Sequence, residues 1–127
     1  MESTVSIDQF QEELASWKHE LSSIKHELRE FEHQLETFSS KDLAKDLLAE
    51  IEHFQNSFIC QKEVIDKLRH DLPDSRQKVQ HIYNALRPLS SNDDHAAQEK
   101  LSDRMDTFRR IYQGLKQDFL AFRTARR

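Results

Sequence analysis

The chain has 127 residues, 36% hydrophobic and 33% charged, with one Gly and two Pro, so it can bury one core but has almost no turn material; this predicts a single all-α domain over 1–127. A formal net charge of −4 argues against a general nucleic-acid binder, and no run of about eighteen apolar residues is present to span a membrane. The lone Cys60 excludes an intramolecular disulfide, and the opening Met-Glu-Ser-Thr-Val-Ser lacks the basic and apolar regions of a signal peptide, so a cytoplasmic location is expected.

The first predicted helix covers about 6–38. Ile7, Phe10, Leu14, Trp17, Leu21, Ile24, Leu28, Phe31, Leu35 and Phe38 alternate in spacings of three and four without exception. That is a heptad stripe on one helix face, and it has to be covered by other helices. Ser6 with Gln9 has capping-box spacing, and Val5 can staple to Phe10. A seven-residue repeat, Trp17-Lys-His-Glu-Leu21, Ile24-Lys-His-Glu-Leu28 and Phe31-Glu-His-Gln-Leu35, sets His19, His26 and His33 in one outward row.

Ser39 and Ser40 bring a second start signal, with Asp42 at capping distance and Phe38 and Leu43 as a staple. The connection is short, so the first two helices should pack antiparallel. The second predicted helix carries Ala44, Leu47, Ile51, Phe54, Phe58, Gln61, Ile65, Leu68 and Leu72 at heptad spacing, with Gln61 the one polar interruption. Such a residue more often fixes register than binds a ligand. Pro73 should break or kink the helix at a cost of about 3 kcal/mol. The stripe nevertheless runs on in phase through Leu72, Ser75, Val79, Ile82, Leu86 and Leu89. One long helix over about 40–86, kinked near Pro73, is therefore expected.

Pro88 and the polar cluster after it form the one evident loop. The third predicted helix, about 92–125, carries Leu101, Met105, Phe108, Tyr112, Leu115, Phe119 and Phe122, with Ile111 broadening the stripe and Gly114 outside it. An antiparallel three-helix bundle follows, with the second helix as spine and the outer two parallel to each other. Charge is graded along the chain. Residues 1–38 hold nine acids against three bases and residues 100–127 three against eight, so parallel packing lays an acidic helix beside a basic one.

Four groups of residues raise the question of chemistry. Glu30 with His33, and Glu50 with His53, have the Glu-x-x-His spacing of di-iron carboxylate bundles, and an antiparallel hairpin would bring them to roughly one level. Against metal binding, Glu30 and His33 fall on the outer half of the helix and no further inward carboxylates complete a set. Histidines seven residues apart in the outward row are about 10.5 Å apart and cannot share an ion. Cys60 has no base in a defensible position, and one glycine leaves no phosphate loop, so no catalytic residue, cofactor or small-molecule substrate is assigned and the chain reads as a non-enzyme. The basic end, Phe119-Leu-Ala-Phe-Arg-Thr-Ala-Arg-Arg127 with Arg109 and Arg110, could meet an anionic surface, although cations at a helix C-terminus beside an acidic helix explain it as well. Ile59 and Leu120 fall outside their stripes at about one level, next to Cys60, and form a candidate contact for a second copy or another protein.

The run Glu52-His-Phe-Gln-Asn-Ser-Phe-Ile-Cys-Gln-Lys-Glu-Val-Ile-Asp-Lys-Leu-Arg-His-Asp71, together with Trp17-Lys-His-Glu-Leu, resembles a group of short, uncharacterised all-helical bacterial proteins of the Bacteroidetes type. The resemblance covers about half of the chain, and Pro73 departs from it. It implies a helical fold and transfers no site. The tryptophan of the first helix is also similar to that of spectrin-type three-helix repeats, which implies fold alone. The expectation is a helical-bundle protein interaction or structural module that associates with itself or with a protein partner. The alternatives are a metal-binding bundle and a binder of anionic surfaces.

Overall fold

The computed structural model describes the backbone of residues 7–39, 45–72 and 91–125, and their side chains except at 7, 8, 10, 39 and 91–98. Three helices carry them: α1 (Ile7–Ser39), α2 (Lys45–Asp71) and α3 (Ser91–Ala125). Every described residue is helical except Leu72, a bend whose N–H still reaches Leu68 O at 3.0 Å. The all-α three-helix bundle expected from the heptads is what forms. The expected caps at Ser6 and around Ser40, the stripe beyond Pro73 and the loop at Pro88 lie outside the described residues.

Helix directions follow from which residues meet. Phe31 of α1 packs on Phe58 of α2 with ring centres 6.0 Å apart, and Lys62 reaches back to Glu32, so α1 and α2 are antiparallel. Phe54 and Phe58 of α2 meet Phe119 of α3, while Asp71 meets Arg104, so α2 and α3 are antiparallel as well. Between α1 and α3 the bonds Arg109–Glu20, Lys116–Glu27 and Arg123–Gln34 all span 89 residues. A constant offset means that the two helices run parallel, in one register, as the charge gradient requires.

The stripes become the core. Leu14, Leu21, Leu28, Leu35, Phe58, Ile65, Met105 and Phe119 are almost completely withdrawn from solvent. Burying a side chain of this size contributes about 1.5–3 kcal/mol, so the stripe rather than helix propensity holds the helices together. Aromatic rings concentrate at one end of the bundle. Phe31, Phe54, Phe58, Phe119 and Phe122 form a contiguous cluster with centre distances of 5.0 to 6.2 Å. Tilted and edge-on ring contacts of this kind add about 0.5–1.5 kcal/mol each beyond the area they bury.

Ile111 departs from expectation. It does not broaden the buried stripe of α3 but is 50% exposed. It stands one position before Tyr112, on the flank that α3 turns towards α2, where it lines a depression with Val64 of α2. The flank is left open to solvent.

Candidate interaction interface

Two of the three seams between helices are fastened by charge. Along α1 and α3, Arg109 donates from Nε and Nη2 to the two carboxylate oxygens of Glu20, both at 2.7 Å. One heptad on, Lys116 donates to Glu27 at 3.0 Å, and one heptad further Arg123 donates to Gln34 at 2.6 Å. Two-pronged pairing with Glu20 holds the Arg109 guanidinium proton more firmly than usual, and Asp106 at 2.9 Å adds to the effect. Glu27 also accepts from the hydroxyl of Tyr112, which is 1% exposed. Burial, seconded by that hydrogen bond and the carboxylate charge, raises the Tyr112 phenol above its ordinary range.

Along α1 and α2, Lys25 donates to Asp66 at 2.6 Å and Lys62 to Glu32 at 2.8 Å. The Lys25 hydrogen bond and charge hold the Asp66 carboxyl below the usual carboxylate range. The seam between α2 and α3 is different. Arg104 and Asp71, 2.8 Å apart, fasten one end. One heptad inward the corresponding positions are Val64 and Ile111, 40% and 50% exposed, facing each other across the seam without closing it.

There the surface is hollow. A depression of about 430 Å³ has Val64, Leu68, Phe108 and Ile111 as its apolar lining and Lys67 and Arg104 on its rim. A second, of about 270 Å³, adjoins it through Gln61 and Ile111 and reaches Cys60 and Leu115. Together they make an open groove along the α2–α3 seam. Gln61 stands between the two halves, and its Oε1 is buried with no hydrogen-bond partner. An unpaired buried polar atom of this kind costs about 1–3 kcal/mol. The polar break in the α2 stripe thus encloses an unpaired acceptor beneath the groove.

Gly114 belongs to the same face, one turn after Ile111. A Cβ built on it would meet nothing within 4 Å, so the bundle itself gives no steric reason for the chain's one glycine. Glycine in the middle of a helix costs about 0.5–1 kcal/mol relative to alanine.

The residues singled out in the sequence are distributed as follows. Ile59 and Cys60 are exposed, as expected. Leu120 is half-buried and packs on the core edge. Ile59 and Leu120 do not form one patch. Ile59 is one heptad from Asp66, on the side of α2 that pairs with α1, whereas Leu120 lies between Lys116 and Arg123, on the side of α3 that pairs with α1. The two therefore flank α1 on opposite sides. Cys60, by contrast, borders the α2–α3 groove.

The four Glu-x-x-His residues do not converge either. Phe31 lies on Phe58 and Lys62 on Glu32, so Glu30 and His33 stand opposite the turns around Phe58, roughly 12 Å along the axis from Glu50 and His53. The pairing of α1 with α2 is thus shifted along the axis from the one that spacing suggested, which removes the common level. All four are exposed, with Glu30 beside His26 at 3.8 Å and His33 beside Glu36 at 3.7 Å. Among the described residues no three His, Cys, Asp or Glu side chains gather where they could hold a metal ion. Cys60 and His53 line the same depression but lie two helical turns apart, about 10.5 Å, beyond proton-transfer reach.

On the basic helix, Arg109, Lys116 and Arg123 are turned onto α1, and Arg104 onto Asp71. These cations are engaged within the bundle. No helix among the described residues is long and apolar enough to cross a membrane. Val64 and Lys67 escaped the sequence reading, although a signal was present: Val64 and Ile111 each stand one place before a stripe residue, on flanks where antiparallel helices meet. No family model, curated protein or solved structure matches this chain, so any functional reading rests on the geometry alone.

Proposed function

We propose that this protein is a non-enzymatic helical-bundle interaction module of the cytoplasm that associates with itself. The reading is carried by the open α2–α3 seam. Val64 and Ile111 are half-exposed at its centre, where the other two seams carry side-chain bridges such as Lys62–Glu32 and Lys116–Glu27. Exposed apolar groups are ordinary when scattered. Here they line a continuous groove, and a partner's side chains would cover them. Sedimentation velocity of the whole chain over a wide concentration range tests the reading. The mass is expected to rise above the single-chain 15.1 kDa as concentration increases. A constant single-chain mass, with no partner captured from the native cell, would contradict it.

A further inference from the structure

The geometry points to a specific occupant for the α2–α3 groove: a second copy of this chain, related by a two-fold axis that runs across the mouth of the groove from Val64 to Ile111, at right angles to the helices. This rests on the reading of the protein as an interaction module and goes further by fixing the surface, the partner and the register.

The case starts from the order of residues along the edge of α3. Arg104, Ile111 and Asp118 are seven residues apart and occupy the same heptad position, one place before Met105, Tyr112 and Phe119. The edge therefore reads cation, apolar, anion, with the charges about 10.5 Å on either side of Ile111. Such a row is its own complement when turned end for end. An antiparallel copy centred on Ile111 sets Arg104 against Asp118 of the second copy and Asp118 against Arg104 of the second copy. Asp118 has no ion-pair partner among the described residues, and Arg104 has its single bond to Asp71.

The same rotation fits α2 without adjustment. Arg104 faces Asp71, so Val64 is level with Ile111 and lies on the axis. Gln61 and Lys67 are three residues before and after Val64. The axis therefore brings Lys67 of the second copy to the level of Gln61, at the junction of the two depressions. Thr107, four residues before Ile111, and Gly114, three after it, both lie on its outward side, so the rotation brings each to within one residue of the other's level. The small residues meet, so the two α3 backbones can approach closely. A Cβ at Gly114 has open space within one chain and would crowd the second. The four helices of the two grooves form an all-antiparallel square, an arrangement that buries both apolar linings.

Two single charge reversals and their mixture decide the matter. Arg104→Glu places two carboxylates together, and Asp118→Arg two cations, so each variant alone is expected to self-associate about tenfold more weakly than the original chain. Mixed in equal amounts they are complementary at both ends, and sedimentation equilibrium should show a heterodimer close to the original strength. Helix content and thermal midpoint of each variant are read alongside. If a reversal impairs folding, Cys60→Ser/Ile111→Cys serves instead, because a residue on the axis meets its own copy and a short bismaleimide should link two chains. Three results overturn the proposal: a chain that stays at 15.1 kDa throughout, single variants that associate as strongly as the original, or a mixture no better than its components. The last two would leave self-association standing through another face, whereas the first removes self-association itself.

Discussion

Replacing Glu27 with alanine takes the acceptor away from a phenol that has almost no contact with water. Tyr112 is 1% exposed and its hydroxyl donates to Glu27, which also accepts from Lys116 at 3.0 Å. The orphaned hydroxyl should cost about 1–3 kcal/mol. The half-exposed Lys116 pair adds about 0–1 kcal/mol. Tyr112→Phe removes the donor instead and leaves Glu27 its lysine, so about 0.5–1.5 kcal/mol is expected. In Glu27→Ala/Tyr112→Phe no polar group is left unpaired beneath the surface. The double variant should therefore be more stable than the sum of the two losses implies, with a coupling of about 1–2 kcal/mol. Urea unfolding of the four proteins measures this, provided that the slopes agree. Additive losses within about 0.5 kcal/mol would refute the parallel α1–α3 register, because residues on separate, distant faces do not couple.

Other outcomes follow from the same geometry. Phe58 is fully buried against Phe31, Phe54 and Phe119, so Phe58→Ala should cost about 3–5 kcal/mol, while its exposed neighbour in Ile59→Ala should stay within about 0.5 kcal/mol. Gly114→Ala has open space for its methyl group; measured at a dilution where the chain is single, it should gain about 0.5–1 kcal/mol, read as a rise of a few degrees in thermal midpoint. The Tyr112 phenol is raised by burial, so its contribution is intact below the unfolded-state value of about 10 and is lost as pH climbs above it. Stability should thus fall more steeply above about pH 10 in the original chain than in Tyr112→Phe, with tyrosinate absorbance from this residue appearing only as the chain unfolds.

The fold was legible because helix packing leaves a periodic record. Every described α1 stripe position from Leu14 to Phe38 is buried or half-buried, and a constant 89-residue offset turns the acidic and basic ends of the chain into a ladder of bonds. Periodicity gives the face but not the level at which two helices cross. That missing level is why Glu30 and His33 were expected beside Glu50 and His53, whereas Ile59 and Leu120 are parted by falling on opposite flanks of α1. The crossing is set by how Phe31, Phe58 and Phe119 fit together, which depends on side-chain shape and not on spacing. Ile111 shows the other limit. A residue at the margin of a stripe is buried or exposed according to how closely the facing helix approaches, and only the packed bundle shows that α2 leaves it uncovered. Gln61 was legible as a polar break in the stripe, but its missing partner was not.

The most direct test of the account is the solution mass of the intact chain as a function of concentration, by sedimentation equilibrium. An open groove that a second copy fills requires a reversible shift from 15.1 kDa towards twice that value, abolished by Ile111→Glu with helix content unchanged. A chain that remains single at every concentration, or whose association is indifferent to Ile111→Glu, would contradict it.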